Sequence, residues 1–356
     1  MLTKLPIFEV LDELVEKLVS DKRAVLSAPP GAGKSTAIPI SLTKNPAFSN
    51  GKIIVLEPRR LAVKQVASRM AQTLGEPLGK TVGYRIRGES KCDEQTKVEV
   101  VTEGILIRMI QEDQQLTGIS TVIFDEFHER SLNADLGLAF CLEIASVLRE
   151  DLKILVMSAT LEISAVSKLM QDAPIISCEG KSFHVTPRCQ AKPVAQDQIV
   201  GKLITDVILQ AFNENKGSLL VFLPGEAEII KLASTLKNKV PDNCHVFPLY
   251  GRLEFKDQQK AIKPILEGRK IVLATNVAET SLTIEGIDTV IDSGLSKRSI
   301  YDANSGMDRL VTQKISKAEA RQRMGRAGRL NPGICYKLWS KTQDGSFPDF
   351  SPSQIE

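Results

Sequence analysis

The sequence predicts an α/β protein with two domains in tandem, each a parallel β-sheet covered by helices on both faces. Three observations carry that reading. Short runs rich in Val, Ile and Leu recur along the chain and are apolar at consecutive positions, as in strands buried on both faces. Between several of them lie helix-length segments whose apolar residues recur every three or four positions. The rhythm breaks near residue 180, in a polar stretch, and then resumes.

The elements run as follows. In MLTKLPIFEVLDELVEKLVSDKR, Val10, Leu11, Leu14, Val15 and Leu18 fall at helical spacing and predict an amphipathic helix packed on the first domain. Acids interrupt this segment and no small-residue cleavage site follows, so it does not read as a signal peptide. AVLSA (24–28), KIIVLE (52–57), KVEVVT (97–102), TVIFD (121–125) and KILVMSAT (153–160) read as buried strands. RRLAVKQVASRMAQTLG reads as a helix with Leu61, Val66, Met70 and Leu74 on one face. The polar segment SCEGKSFHVTPRCQAKPVAQDQ suits a linker followed by a strand. SLLVFLPG (218–225), HVFPLYG (245–251), KIVLATN (270–276), DTVIDSG (288–294) and ICYKLW (334–339) complete the strand set. The domains are thus expected at 1–180 and 181–345. LSKRSIYDANSGMDRLVTQKI predicts two extended arms around Asn-Ser-Gly, a β-hairpin. The tail 346–356, SFPDFSPSQIE, completes no element and reads as the start of a further region.

Composition narrows the function classes. With 356 residues, 42% hydrophobic and 25% charged, the chain has ordinary globular composition and room for two domains. A net charge of +3 does not by itself argue for a nucleic-acid binder, so any basic patch must be local. The six cysteines form no CxxC pair and the only histidines are His128, His184 and His245, so neither a zinc site nor a disulfide framework is indicated. A reduced, cytoplasmic protein fits this usage. No apolar run approaches membrane length.

Two motifs carry chemistry. Strand 24–28 runs into PPGAGKST, the spacing of GxxxxGK[ST] with Ala28 where that pattern has Gly. The loop through Pro30, Gly31, Ala32 and Gly33 would wrap phosphates with backbone N–H groups, and the helix opening at Lys34 would add its positive dipole end. Lys34 would reach the β- and γ-phosphates and Ser35 would ligate Mg²⁺. A Gly-rich strand-to-helix turn is the plainer account of the same residues. The second motif is TVIFDEFHER, where a buried strand ends on two adjacent acids. A solvated strand end would explain them, but beside a phosphate loop a different role fits. Asp125 would hold the magnesium and Glu126 would polarise the attacking water as general base. RQRMGRAGR (321–329) offers the positive charge that phosphoryl transfer needs. Arg323, Arg326 and Arg329 stand three residues apart and would share one face if the segment is helical. A basic surface patch is the plainer alternative.

The ordered set APPGAGKST, EPRRLAV, TEGIL, DEFHER, SAT, FLPGEAEI, ATNVAETSLTIEGI and QRMGRAGR resembles the motifs of the DEAH/RHA group of superfamily 2 helicases, over nearly the whole chain. The acidic box reads DEFH in place of DEAH. The resemblance implies two RecA-like domains with ATP, or another NTP, in a cleft, together with Mg²⁺. It implies that Lys34, Ser35 and Thr36 hold phosphates and metal, that Asp125 positions the metal and Glu126 the water, and that Gln322 helps orient that water. Arg326 and Arg329 would be arginine fingers, and Arg323 structural. His128 and Ser158-Ala159-Thr160 would couple the nucleotide to domain movement. Arg69 would stack on the base; the aromatic that completes that sandwich in eukaryotic relatives is replaced by Ile262.

The resemblance also implies single-stranded RNA or DNA as partner, gripped through its backbone by Arg59, Arg60, Thr102, Thr275 and Asn276. These residue types suit phosphates and 2′-hydroxyls and carry no base readout. Strand-end caps and a surface charge are their plainer roles. The hairpin at 297–312 would be a strand-separating wedge or simply a connection. The family continues beyond this length with winged-helix, helical-bundle and OB-like domains, so 346–356 would begin the winged-helix region. The expected activity is NTP-driven 3′-to-5′ translocation and duplex unwinding. Two rivals stay open: an RNA-stimulated ATPase that displaces proteins without separating strands, and a nucleotide-dependent scaffold that ignores nucleic acid.

Overall fold

In a computed structural model, residues 5–29, 31–159, 163–180, 183–279, 284–302, 306–329 and 331–349 are described. Pro30, Thr160 and the tail from residue 350 lie outside them. The chain separates into two compact units, Met1–Lys181 and Ser182–Pro352.

Unit 1 holds strands β1 (Arg23–Ser27), β2 (Lys52–Glu57), β3 (Val82–Ile86), β4 (Glu89–Lys91), β5 (Val98–Thr102), β6 (Ile119–Phe124), β7 (Lys153–Ser158) and β8 (Ile175–Ser177). They form one sheet in the order β4-β3-β5-β2-β6-β7-β1-β8, parallel except for β4. Helices α1 (Leu11–Ser20), α2 (Lys34–Leu42), α3 (Arg60–Leu74), α4 (Glu103–Glu112), α5 (Leu132–Val147) and α6 (Ile163–Leu169) connect them. Strands β6 and β7 are buried at every position, which is why their sequences show no polar alternation. Helix α1 buries Leu14 and Leu18, one turn apart, and carries Asp12 and Glu13 in its first turn, where the dipole favours acids.

Register places the chemistry at one edge. Ser27 pairs with Ser158, Phe124 with Val156, and Glu57 with Thr102. The strands are parallel, so the segments after β5, β2, β6, β7 and β1 all emerge at the same carboxyl end, where open α/β sheets bind ligands.

Unit 2 contains β9 (Val185–Gln190), β10 (Ser218–Phe222), β11 (Cys244–Leu249), β12 (Arg269–Ala274), β13 (Ile287–Asp292), the hairpin strands β14 (Leu295–Asp302) and β15 (Met307–Lys314), and β16 (Gly333–Ser340). Its helices are the single turn α7 (Gln196–Gln198), then α8 (Ile204–Glu214), α9 (Glu226–Lys237), α10 (Phe255–Ile262), α11 (Lys317–Met324) and α12 (Lys341–Asp344). The main sheet is parallel throughout, in the order β11-β12-β10-β13-β16-β9. Residues 346–349, expected to open a further region, pack within this unit: Phe347 lies on Trp339 with ring centroids 5.0 Å apart, and the Lys317 N–H donates to the Pro348 carbonyl at 2.8 Å.

A buried arginine organises unit 2. Arg323 is fully buried, with Nε donating to Glu279 Oε1 at 2.6 Å and Nη1 to Asp292 Oδ1 at 2.9 Å, and its guanidinium lies 4.9 Å from the Phe222 ring. Burial alone would lower its pKa; Glu279 and Asp292 outweigh burial and raise it. Removing one partner of such a cluster strands the others in low dielectric. Arg323→Ala is therefore expected to cost about 3–5 kcal/mol of stability, measured by urea denaturation. An unchanged midpoint would contradict this structural role.

Candidate active site

The phosphate loop owes its shape to two glycines. Gly31 and Gly33 have φ of +88° and +95°, which side-chain-bearing residues rarely adopt. A Cβ on Gly33 would also sit 2.7 Å from Leu5 Cδ1. Ala28, at the position where the general pattern has Gly, is buried, and its N–H donates to the Ser158 carbonyl at 3.1 Å, tying the loop to the end of β7. Helix α2 starts at Lys34, so its first N–H groups face the loop.

Lys34 is 4% exposed, and its Nζ lies 3.2 Å from Glu126 Oε1 and 3.9 Å from Asp125 Oδ1. Two adjacent, buried carboxylates repel; an ammonium between them relieves that cost. Burial would lower the Lys34 pKa, but Glu126 and then Asp125 outweigh it and raise it. Glu57, the fully buried last residue of β2, adds to the same field.

The acidic box turns sharply. The Asp125 N–H donates to the Leu56 carbonyl at 3.1 Å, and Asp125 Oδ1 accepts the Glu126 N–H at 2.8 Å. Glu126 has φ of +51°, a conformation costing roughly 1–2 kcal/mol for an L-residue. The turn aims Glu126 at both Lys34 and His128. His128 Nε2 lies 3.3 Å from Glu126 Oε2, and the Ala159 N–H donates to His128 Nδ1 at 3.4 Å. Nδ1 is thus the acceptor, which leaves the ring proton on Nε2 to donate to the carboxylate. A bonded path therefore runs from Lys34 through Glu126 and His128 to the segment after β7.

The donor set fits a hard dication. Asp125 Oδ2 is buried with no hydrogen-bond partner, and the Ser35 hydroxyl lies close enough to Asp125 to favour its ionised form. Burial dominates and raises the Asp125 pKa, with Lys34 opposing. An orphaned carboxylate oxygen beside a hydroxyl is oxygen coordination of the kind Mg²⁺ takes.

Along the same edge stand the residues expected to meet nucleic acid. Arg59 is paired with Glu129 of the acidic box at 3.0 Å, and Arg60 Nη2 donates to the Arg87 carbonyl at 3.1 Å. Thr102 lines a groove of about 820 Å³ together with Arg85, Arg87, Ser90, Gly104 and Arg108. The β3–β4 turn that forms one wall was not read from the sequence; its signal was two arginines ahead of a glycine in RIRGES. Arg69 is exposed on α3.

Unit 2 carries its own part of the set. Thr275 and Asn276 follow β12; Thr275 is half-buried and makes no capping hydrogen bond, and Asn276 is exposed. Ile262 is buried. Gln322 is half-buried on α11. The expectation that Arg323, Arg326 and Arg329 share a helical face needs correction. Helix α11 ends at Met324, and the chain continues as tight turns in which Arg326, Ala327 and Gly328 donate to the carbonyls three residues back. Arg323 therefore points into the core of the unit, while Arg326, 5% exposed, and half-buried Arg329 sit on a separate loop. The hairpin forms as expected, with Ser299 opposite Leu310, and exposes Tyr301, Met307 and Leu310.

Comparison with known proteins gives the family of both units. Residues 9–169 match the family described as DEAD/DEAH box helicase, and residues 200–331 match the helicase conserved C-terminal domain. The chain is 48% identical over 345 residues to the ATP-dependent RNA helicase HrpB of Escherichia coli strain K12, covering 96% of this chain and 42% of that protein. It is 35% identical over 366 residues to the mouse ATP-dependent RNA helicase DHX33, covering 99% of this chain and 52% of that protein. The crystal structure of the Escherichia coli DEAH/RHA helicase HrpB is similar with a TM-score of 0.91 at 46% identity, over 99% of this chain and 45% of that one. The chain thus spans about half the length of these relatives.

Proposed function

We propose that this chain, which belongs to the DEAD/DEAH box helicases, is the motor core of an ATP-dependent RNA helicase that translocates 3′ to 5′ on a single strand and separates duplexes. The observation that carries the reading is the buried constellation of Lys34, Asp125 and Glu126, linked through His128 to the Ala159 N–H. A general base held at a strand tip and bonded to a neighbouring loop can both activate water and report the state of the nucleotide.

In this reading Gly31, Ala32, Gly33, Lys34, Ser35 and Thr36 hold the triphosphate. Ser35 and Asp125 would hold Mg²⁺, which would neutralise phosphate charge. Glu126 takes the proton of the attacking water, and Gln322 orients that water. Arg326 and Arg329 supply positive charge to the transferred phosphoryl group. Arg69 alone stacks on the base, so discrimination among NTPs is weak. Arg59, Arg60, Thr102, Thr275 and Asn276 grip the strand, and the β3–β4 turn with Arg87 joins them. The six free thiols suit a reducing cytoplasm.

The test is NTP hydrolysis against single-stranded RNA, single-stranded DNA and duplexes, in the intact protein. Single-stranded RNA is expected to raise the rate most. Rates indifferent to every nucleic acid would overturn the motor reading in favour of a scaffold. A second expected result concerns the hairpin: deleting residues 298–310 abolishes duplex unwinding and spares the single-strand-stimulated hydrolysis. Undiminished unwinding by the deletion would remove the hairpin from strand separation.

A further inference from the structure

In unit 2 the hairpin is fastened to α11 at two points one helical turn apart. Glu319 and Arg323 are four residues apart and so face the same side of α11. Arg298 of β14 donates through Nη2 to both carboxylate oxygens of Glu319, at 2.8 and 2.7 Å. Arg323 Nη1 donates to the carbonyl of Leu295, the first residue of β14, at 3.1 Å. Glu319 is itself fixed by the cap of its helix: its Oε2 accepts the Ser316 N–H at 2.7 Å and the Ser316 hydroxyl at 2.9 Å. On the other side of the strand, Lys297 reaches Glu228 of α9 at 2.8 Å. Successive residues of a strand point to opposite faces, so the root of the hairpin arm is gripped on both.

Arg323 already anchors α11 through Glu279 and Asp292, and a half-buried ion pair adds little stability. What Arg298 adds is a fixed angle between the hairpin and the helix that leads into Arg326 and Arg329. We infer that Arg298 is a positioning residue that locks the hairpin to α11, so that strand separation at the hairpin and charge delivery at the nucleotide move as one body. The inference rests on the motor reading given above. A surface ion pair with no mechanical part would leave the energy coupling of the enzyme untouched when removed; a lock would not.

The experiment compares Arg298→Ala and Arg298→Lys with wild type in the intact protein. Arg298→Ala keeps the capping box and every proposed nucleotide ligand, so RNA-stimulated ATP hydrolysis is expected near the wild-type rate. Base pairs separated per ATP are expected to fall by about fivefold or more, the low end of ordinary coupling between sites. A single guanidinium nitrogen makes both bonds to Glu319, so the one nitrogen of lysine should restore most of the loss. An unchanged ratio of unwinding to hydrolysis in Arg298→Ala overturns the lock. A parallel loss of both activities with a lowered melting temperature overturns it too, in favour of a merely structural pair. A second readout needs no unwinding: ADP with aluminium fluoride should slow amide exchange over residues 295–302 in wild type and not in Arg298→Ala. If wild type separates no duplex, the motor reading fails by itself. Equal exchange in the two proteins would then still overturn the lock.

Discussion

Glu126→Gln is expected to bind ATP with near wild-type affinity and to hydrolyse it about 10²–10⁴-fold more slowly, the range for losing general-base assistance. The substitution keeps shape and removes basicity. Its local cost can also be read from the geometry. Lys34 donates to the Glu126 carboxylate at Oε1 and His128 at Oε2. A carboxamide offers one acceptor and two donors, so one of these contacts must turn into a donor facing a donor. The loss is borne by the path to Ala159 or by the contact to Lys34, neither of which is expected to abolish phosphate binding by the loop. Nucleotide titration and single-turnover hydrolysis separate the two effects. Near-normal turnover by the variant would remove Glu126 from the role of base.

The phosphate loop was legible because its chemistry is local. A strand, two glycines forced into left-handed geometry and a Lys-Ser pair at a helix start all fall within a dozen consecutive residues. The parallel sheets were legible for a related reason, since strands buried on both faces need apolar residues at every position. Three features were not legible. The bond from His128 to Ala159 joins residues 31 apart and depends on β6 and β7 being neighbours, which no spacing rule states. The β3–β4 hairpin lies at the sheet edge, and all three residues of β4 are exposed, so it lacks the apolar signature of the other strands. Glu57 closes a strand read as buried, but nothing in a carboxylate's residue type shows that its own side chain is fully buried. The end of α11 failed differently. Arginines three apart mimic a helical face, but Gly325 and Gly328 flank Arg326, and Gly328 packs so tightly that a Cβ there would lie 2.6 Å from the Phe183 carbonyl. Close backbone approach decided that segment, and periodicity could not see it.

That break in the helix sets up the second large effect. Arg323 and Arg326 are three residues apart and both are buried, yet one lies on α11 and the other on the turn after it. Arg323 is committed to Glu279, Asp292 and the Leu295 carbonyl on its own unit. Its removal is expected to appear in unfolding curves. Arg326 sits beyond the helix end, on a turn held by backbone hydrogen bonds from residues 326–328. Arg326→Ala should therefore keep the backbone of the turn, lose less stability than Arg323→Ala and bind nucleotide. Hydrolysis should nevertheless slow by up to about 10³–10⁵-fold, the range for withdrawing an arginine that stabilises charge on a transferred phosphoryl group. Arg326→Lys should recover little, because a point charge does not reproduce the planar fork that pairs with two phosphate oxygens. The decisive comparison is between the two arginines in one experiment. Loss of turnover far out of proportion to loss of stability at 326, and loss of stability at 323, would separate a catalytic arginine from a structural one. Normal turnover in Arg326→Ala would mean that the charge meeting the phosphate comes from elsewhere in the chain.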